Sequence, residues 1–225
     1  MTNQILITTL FVVGFILIII FNEYLFRKYN LKPEYSRKIA HILACLSSLL
    51  FLFSFNSHWN VLFLGLLFFI ILYLGKKFNK TKSIDNVKRK TIGSYILPIS
   101  IYILFFISKK LENNIYFVLP LLILGVSDPL AGFFGTFYEN KTKKITFLNT
   151  TFNKTNLGSV VFLISSFLIS IIILYLFDFE ISKTLNISLI IALFTTLTEI
   201  ISSKGIDNIS VPLITILIIY ITNNS

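Results

Sequence analysis

The chain has 225 residues, 55% of them hydrophobic and 13% charged, with a formal net charge of +10. A charged share about half that of ordinary domains cannot cover a water-facing surface, which excludes a soluble globule and makes lipid the solvent for much of the chain. The 20 Lys and Arg against 10 Asp and Glu sit in short loops between apolar runs, so they point to a topology signal and to anionic headgroups or substrates, not to nucleic acid.

A membrane span needs about 20 mostly apolar residues, and eight stretches meet that need, at roughly 3–24, 37–55, 59–75, 92–108, 114–137, 156–177, 184–203 and 208–223. The first carries no charge over residues 1–22 and no basic leader or small-residue cleavage site, so it reads as a retained span and not a signal peptide. The second and third are split only by the polar turn Ser54 to His58, with Trp59 as an interfacial anchor. The seventh is diluted at its end by Thr195, Thr196, Thr198 and Glu199, which leaves the count at seven or eight. The lone Cys45 lies in an apolar run and reads as a buried inert thiol.

The loops set the orientation. Of the 20 basic residues, all but Lys109, Lys110 and Lys183 fall on one side, in segments 26–38, 76–90 and 139–155 and at Lys204. Basic loops stay in the cytoplasm, so that side is expected to be cytoplasmic, with both termini outside. The fold expected is an all-α multi-pass helical bundle in the cell membrane, one catalytic domain over residues 1–225, with a broken helix near Asp128-Pro129.

Three carboxylates call for explanation. Asp128 lies in an apolar stretch well before the next charge, Glu139. A carboxylate at mid-helix costs about 2.5–3.5 kcal/mol on insertion scales, which makes it a functional candidate. Gly125, Gly132 and Gly135 surround it, and Pro129 disfavours α geometry at the residue before it. Glu199 and Asp207, followed by Asn208, fall at the same membrane face, where the alternative reading of Asp207-Asn208 is helix capping. Carboxylates with substrate phosphates are the usual surroundings of Mg²⁺. Opposite them stand helix starts suited to phosphate: Arg37-Lys38 with His41, Lys90-Thr91 with Gly93-Ser94, and Lys154-Thr155 with Gly158-Ser159. None matches the P-loop pattern. Basic helix starts, carboxylates and a broken helix together suit transfer of a phosphoryl or nucleotidyl group to a lipid, a reaction of positioning and charge stabilisation.

The ordered set Arg37-Lys38-x-x-His41, Gly93-Ser94 with Pro98, Ser127-Asp128-Pro129, Lys154-Thr155-x-x-Gly158-Ser159, and Glu199 followed by Asp207-Asn208 and Pro212 resembles the polyprenol kinase family of phytol and dolichol kinases, related to phosphatidate cytidylyltransferases. The resemblance spans about residues 37–213. It implies an integral membrane kinase that phosphorylates a long-chain isoprenoid alcohol with CTP as donor and a divalent metal. Arg37, Lys38, Gly93, Ser94, Lys154, Thr155, Gly158, Ser159 and Asn208 would then hold the nucleotide. Asp128 and Asp207 would hold Mg²⁺, and Asp128, Glu199, Asp207 and His41 would serve catalysis. Leu157 departs from the family, where a glutamate commonly precedes the Gly-Ser. Cytidylyl transfer to a phosphatidate-like lipid, a CTP-dependent diacylglycerol kinase, and a non-enzymatic transporter are the alternatives.

Overall fold

A computed structural model describes residues 2–86, 91–138, 141–147 and 150–223. Lys88, Arg89 and Lys90 of the second basic loop, and Glu139, lie outside the described residues. In chain order the helices are α1 (Thr2–Lys28), α2 (Pro33–Ser48), α3 (Phe51–Ser54), α4 (His58–Lys77), α5 (Lys82–Asp85), α6 (Gly93–Lys110), α7 (Ile115–Leu122), α8 (Asp128–Phe137), α9 (Asn156–Leu176), α10 (Ile181–Ile201) and α11 (Asp207–Asn223). A hairpin of β1 (Lys144–Phe147) and β2 (Thr150–Thr155) stands before α9.

Among the described residues, six helical segments are long and apolar enough to cross a membrane by length and composition. The further apolar helices α6 and α11 have 18 and 17 residues. All eight stretches expected from the sequence are therefore helical, and the protein is an all-α multi-pass membrane protein. The seventh is a complete helix, because Thr195 and Thr196 donate back to the carbonyls of Ile191 and Ala192 at 2.6 Å and so hide their hydroxyls from the apolar surroundings.

The segment through α7 and α8 is the most enclosed, with 61% of its apolar window buried against 6% for α1. Phe117, Leu119, Leu121 and Leu124 are fully buried in it, packed with Phe105 of α6 and Phe162 of α9. The interruption expected near Asp128-Pro129 is a π-helical turn over Ile123–Ser127, which widens the helix and leaves it continuous. Asp128 keeps α geometry (φ −65°, ψ −45°) despite Pro129. The widened turn just ahead of the ring re-sets the ladder where Pro129 offers no N–H.

Two boundaries differ from the sequence reading. Pro33 occupies the first turn of α2, where its fixed φ and missing N–H cost nothing. The helix thus starts four residues before Arg37, and Arg37-Lys38 lie in its second turn instead of at its end. Residues 144–147 and 150–155, expected as loop, pair as the two strands, and Ile145, Thr146, Thr151 and Phe152 are β-branched and aromatic types that favour strands.

At the basic end the loops are tied together. Ile92 N–H donates to Lys204 C=O at 2.9 Å, Thr91 Oγ1 donates to the same oxygen at 3.1 Å, and Asn208 Nδ2 donates to Gly93 C=O at 2.8 Å. Gly205 has φ +93°, and a Cβ there would lie against the backbone N and Cα of Gly93. The start of α6 can approach the α10–α11 loop only because both positions are glycine. Gly205→Ala is expected to loosen this junction at a cost of about 1–3 kcal/mol, read as a lower thermal midpoint in detergent. Gly14→Ala, with nothing within 4 Å of its added methyl, is expected to leave the midpoint unchanged or slightly raised. Equal midpoints for the two variants would refute the account.

Candidate active site

Five residues after Pro33, Lys38 points from α2 into the bundle. Its Nζ donates to Asp128 Oδ2 at 2.5 Å and to the Asp128 carbonyl at 3.2 Å. Both side chains are over nine-tenths buried. Neither charge could stay alone at this depth, and each satisfies the other. The contact depends on Gly132, one turn beyond Asp128. A Cβ there would stand 2.6 Å from Lys38 Cε, so glycine clears the path for the lysine stem. His41, one turn along α2, is also buried, and its Nε2 donates to the Leu124 carbonyl inside the π turn at 3.2 Å. The predicted shared face of Lys38 and His41 is thus real. Its two polar groups fasten α2 to the one irregular stretch of the central helix.

The second cluster centres on Lys154, placed by the end of β2. It donates to Glu199 of α10 at 2.5 Å and to Asp207 of α11 at 3.0 Å. Burial works against its charge, but Asp207 and Glu199 outweigh that and hold the ammonium above the usual lysine range. Lys154 is therefore a fixed cation at any physiological pH. Ser159 Oγ lies 3.5 Å from Glu199 Oε2. Thr155 caps α9 by accepting from Gly158 N–H at 3.1 Å, so that N–H is engaged within the helix start. Asp207 Oδ1 accepts from Asn208 N–H at 3.1 Å, and the Asn208 side chain serves the junction with Gly93 described above.

Three cavities meet around these groups. A wide one, about 2480 Å³ of space open to the outside, is walled by Lys38, Asp128, Lys154, Thr155, Ser159 and Glu199. A narrower polar one holds Arg37, Lys38, His41, Asp128, Lys154 and Asp207. A third, of about 850 Å³, is apolar and touches the polar one at Arg37, His41 and Asn208. Gly93 and Ser94 line this apolar chamber and not the wide cavity. Arg37 sits at the junction, paired with Glu34 at 3.0 Å, while its buried Nε has no hydrogen-bond partner among the described residues.

The charged residues named from sequence are thus brought together, in two lysine–carboxylate clusters that meet at one polar cavity through Lys38, Asp128, Lys154 and Asp207, while Gly93 and Ser94 stand apart in the apolar chamber. For a divalent ion, Asp128 and Asp207 offer hard oxygen donors in that cavity, but each already touches a lysine. Among the described residues no three acidic, histidine or cysteine side chains are gathered as a ligand set. The set fits an ion that arrives with phosphate oxygens and completes its shell with one or two carboxylates, not a resident protein-only site. Thr91, named with the start of the fourth span, walls the polar cavity, and sequence reasoning missed the Ser202-Ser203-Lys204-Gly205 loop that walls it too. The Lys-Gly pair was the available signal, since a glycine between two helices often takes a positive φ.

The sequence model of the cytidylyltransferase family matches residues 2–204. No curated protein and no solved structure matches the chain.

The Lys38–Asp128 pair carries a stability signature. Lys38→Met leaves a buried carboxylate alone and is expected to cost about 3–5 kcal/mol. Adding Asp128→Leu removes the orphaned charge and is expected to recover most of the loss. Thermal unfolding in detergent measures both. A double variant no more stable than Lys38→Met would contradict the pairing.

Proposed function

The chain belongs to the cytidylyltransferase family, and on that premise we propose that it is a membrane enzyme that transfers a phosphoryl group from CTP to a long-chain isoprenoid alcohol at the cytoplasmic face. The carrying observation is that a wide cavity lined by paired charges and an apolar chamber both adjoin one buried polar cavity. A nucleotide and a lipid could approach that cavity from opposite sides. The excess of basic residues on the same side supports its cytoplasmic placement.

In this reading CTP occupies the wide cavity, its phosphates against Lys38 and Lys154. Both lysines reach it from carboxylate partners. When phosphate oxygens take over Lys154, Glu199 and Asp207 lose their counter-ion, and a divalent cation arriving with the nucleotide would answer the freed carboxylate of Asp207. Asp128 borders both polar cavities. It orients the lipid hydroxyl, whose oxygen attacks the γ-phosphorus as the bond to the β-phosphate oxygen breaks. Asp128 or Asp207 takes the hydroxyl proton, and CDP leaves. A Mg²⁺ ion held by Asp128 and Asp207 would neutralise phosphate charge. His41 and Arg37 line the acceptor side.

The family match also favours a second reading, cytidylyl transfer. A lipid phosphate oxygen would then attack the α-phosphorus and pyrophosphate would leave. Labelled CTP separates the two. With purified protein and an isoprenoid alcohol, label from the γ-phosphate is expected in the lipid. Label only from the α-phosphate, with a phosphatidate-type acceptor, would establish the second reading instead. Asp128→Asn, which keeps the shape but not the charge, is expected to lower either transfer by roughly 10²-fold or more while membrane insertion is kept. Activity near that of the unaltered protein in this variant would remove Asp128 from the mechanism.

A further inference from the structure

We infer that the apolar chamber bounded by α1, α2, α4 and α6 seats the hydrocarbon chain of the acceptor, and that its depth selects that chain by length. This rests on the reading above that the acceptor is a membrane lipid. Protein interiors are close-packed, and the neighbouring Phe105, Leu104 and Leu64 are filled in to near-zero exposure. The chamber beside them leaves about 100 Å³ that the centre of a water-sized sphere can occupy, several times the roughly 10–15 Å³ that one water needs.

One face of α2 forms its wall. Arg37, Ala40, His41, Ala44 and Ser48 follow the i, i+3, i+4 helical spacing and all line it. The face is graded. Arg37 and His41 are at the mouth, next to the polar cavity. Small alanines follow and leave room between Phe15, Phe68 and Leu97. Ser48, at the far end, spends its hydroxyl on the Ala44 carbonyl at 2.8 Å and so presents no open donor. From Arg37 to Ser48 the wall runs about 16 Å at the helical rise, roughly half of the ~30 Å hydrocarbon core. An oxygen at the head of a chain lying in the chamber would enter the polar cavity that Arg37, His41 and Asp128 wall together. A chain without a polar head would end in that cavity with no hydrogen bond to offer, which favours an alcohol-headed lipid over bulk hydrocarbon.

The test compares isoprenoid alcohols of rising length, geraniol, farnesol and geranylgeraniol, with purified full-length protein and labelled CTP. Ala44→Phe fills the chamber at mid-depth, and the ratio of kcat/KM for geranylgeraniol to that for geraniol is expected to fall roughly tenfold or more. Leu97→Ala enlarges it, and the same ratio is expected to rise. An unchanged ratio in both variants overturns the inference. Independently of turnover, a long-chain alcohol bearing a terminal diazirine is expected to crosslink to α2, α4 or α6 in the unaltered protein and less in Ala44→Phe. Crosslinks confined to the outer faces of α1 and α10 overturn it. If no lipid alcohol is labelled from CTP, the functional reading fails, while the crosslinks still decide where the chain lies.

Discussion

Everything at the basic end of this bundle depends on the Lys38–Asp128 ion pair. A carboxylate buried among Leu, Ile and Phe is tolerable only with a cation in contact. Lys38 reaches it because Gly132 has no side chain and because α2 begins early enough, at Pro33, to put residue 38 on the inner face. His41 fixes the same face one turn on, through a carbonyl of the π turn. A π turn is where a helix stores an irregular backbone group, and such turns are frequent at functional sites. Here the irregularity and the buried charge lie in adjacent turns and are satisfied by the same neighbouring helix.

Around that pair the chain places a second cluster by different means. Lys154 arrives on a hairpin strand, Glu199 at the end of α10, Asp207 at the start of α11. The three are far apart in sequence and come from elements whose ends converge at one face. The backbone ties from Lys204 to the start of α6, and from Asn208 to Gly93, hold those ends in register. Lys38 and Asp128 balance, while Lys154 answers two carboxylates and leaves its cluster one negative charge in excess. In the proposed reading that excess suits a nucleotide that arrives with a divalent cation, and lysines already oriented by carboxylates need little reorganisation to meet its phosphates. The apolar chamber opens onto the polar cavity at Arg37 and His41, so the two substrates of different solvents can meet without either leaving its own.

Much of this was legible in the linear chain. The eight apolar stretches survive as helices because length and hydropathy alone decide what can span lipid. Asp128, Glu199, Asp207, Lys38 and Lys154 were singled out because charge in an apolar context is costly wherever it falls. Other features were not legible. Gly93-Ser94, read as part of a phosphate site, line the apolar chamber, and the Thr155 hydroxyl caps its own helix. The strand pair β1 and β2 escaped a reading tuned to helices, although its β-branched residues were there to be seen.

The reason for this division is the solvent. In water an amphipathic pattern tells inside from outside, but lipid is as apolar as a protein core. Leu10 and Phe69 face outward while Leu104 and Phe105 are buried, with nothing in residue type to separate them. The sequence by itself determined which segments cross the membrane, which end is basic and which few residues are costly enough to need a purpose. Only the tertiary structure decided which lysine answers which carboxylate, where the helix widens, and that an apolar chamber runs from Arg37 into the bundle. Those depend on packing between distant segments, and no local pattern of apolar residues encodes it.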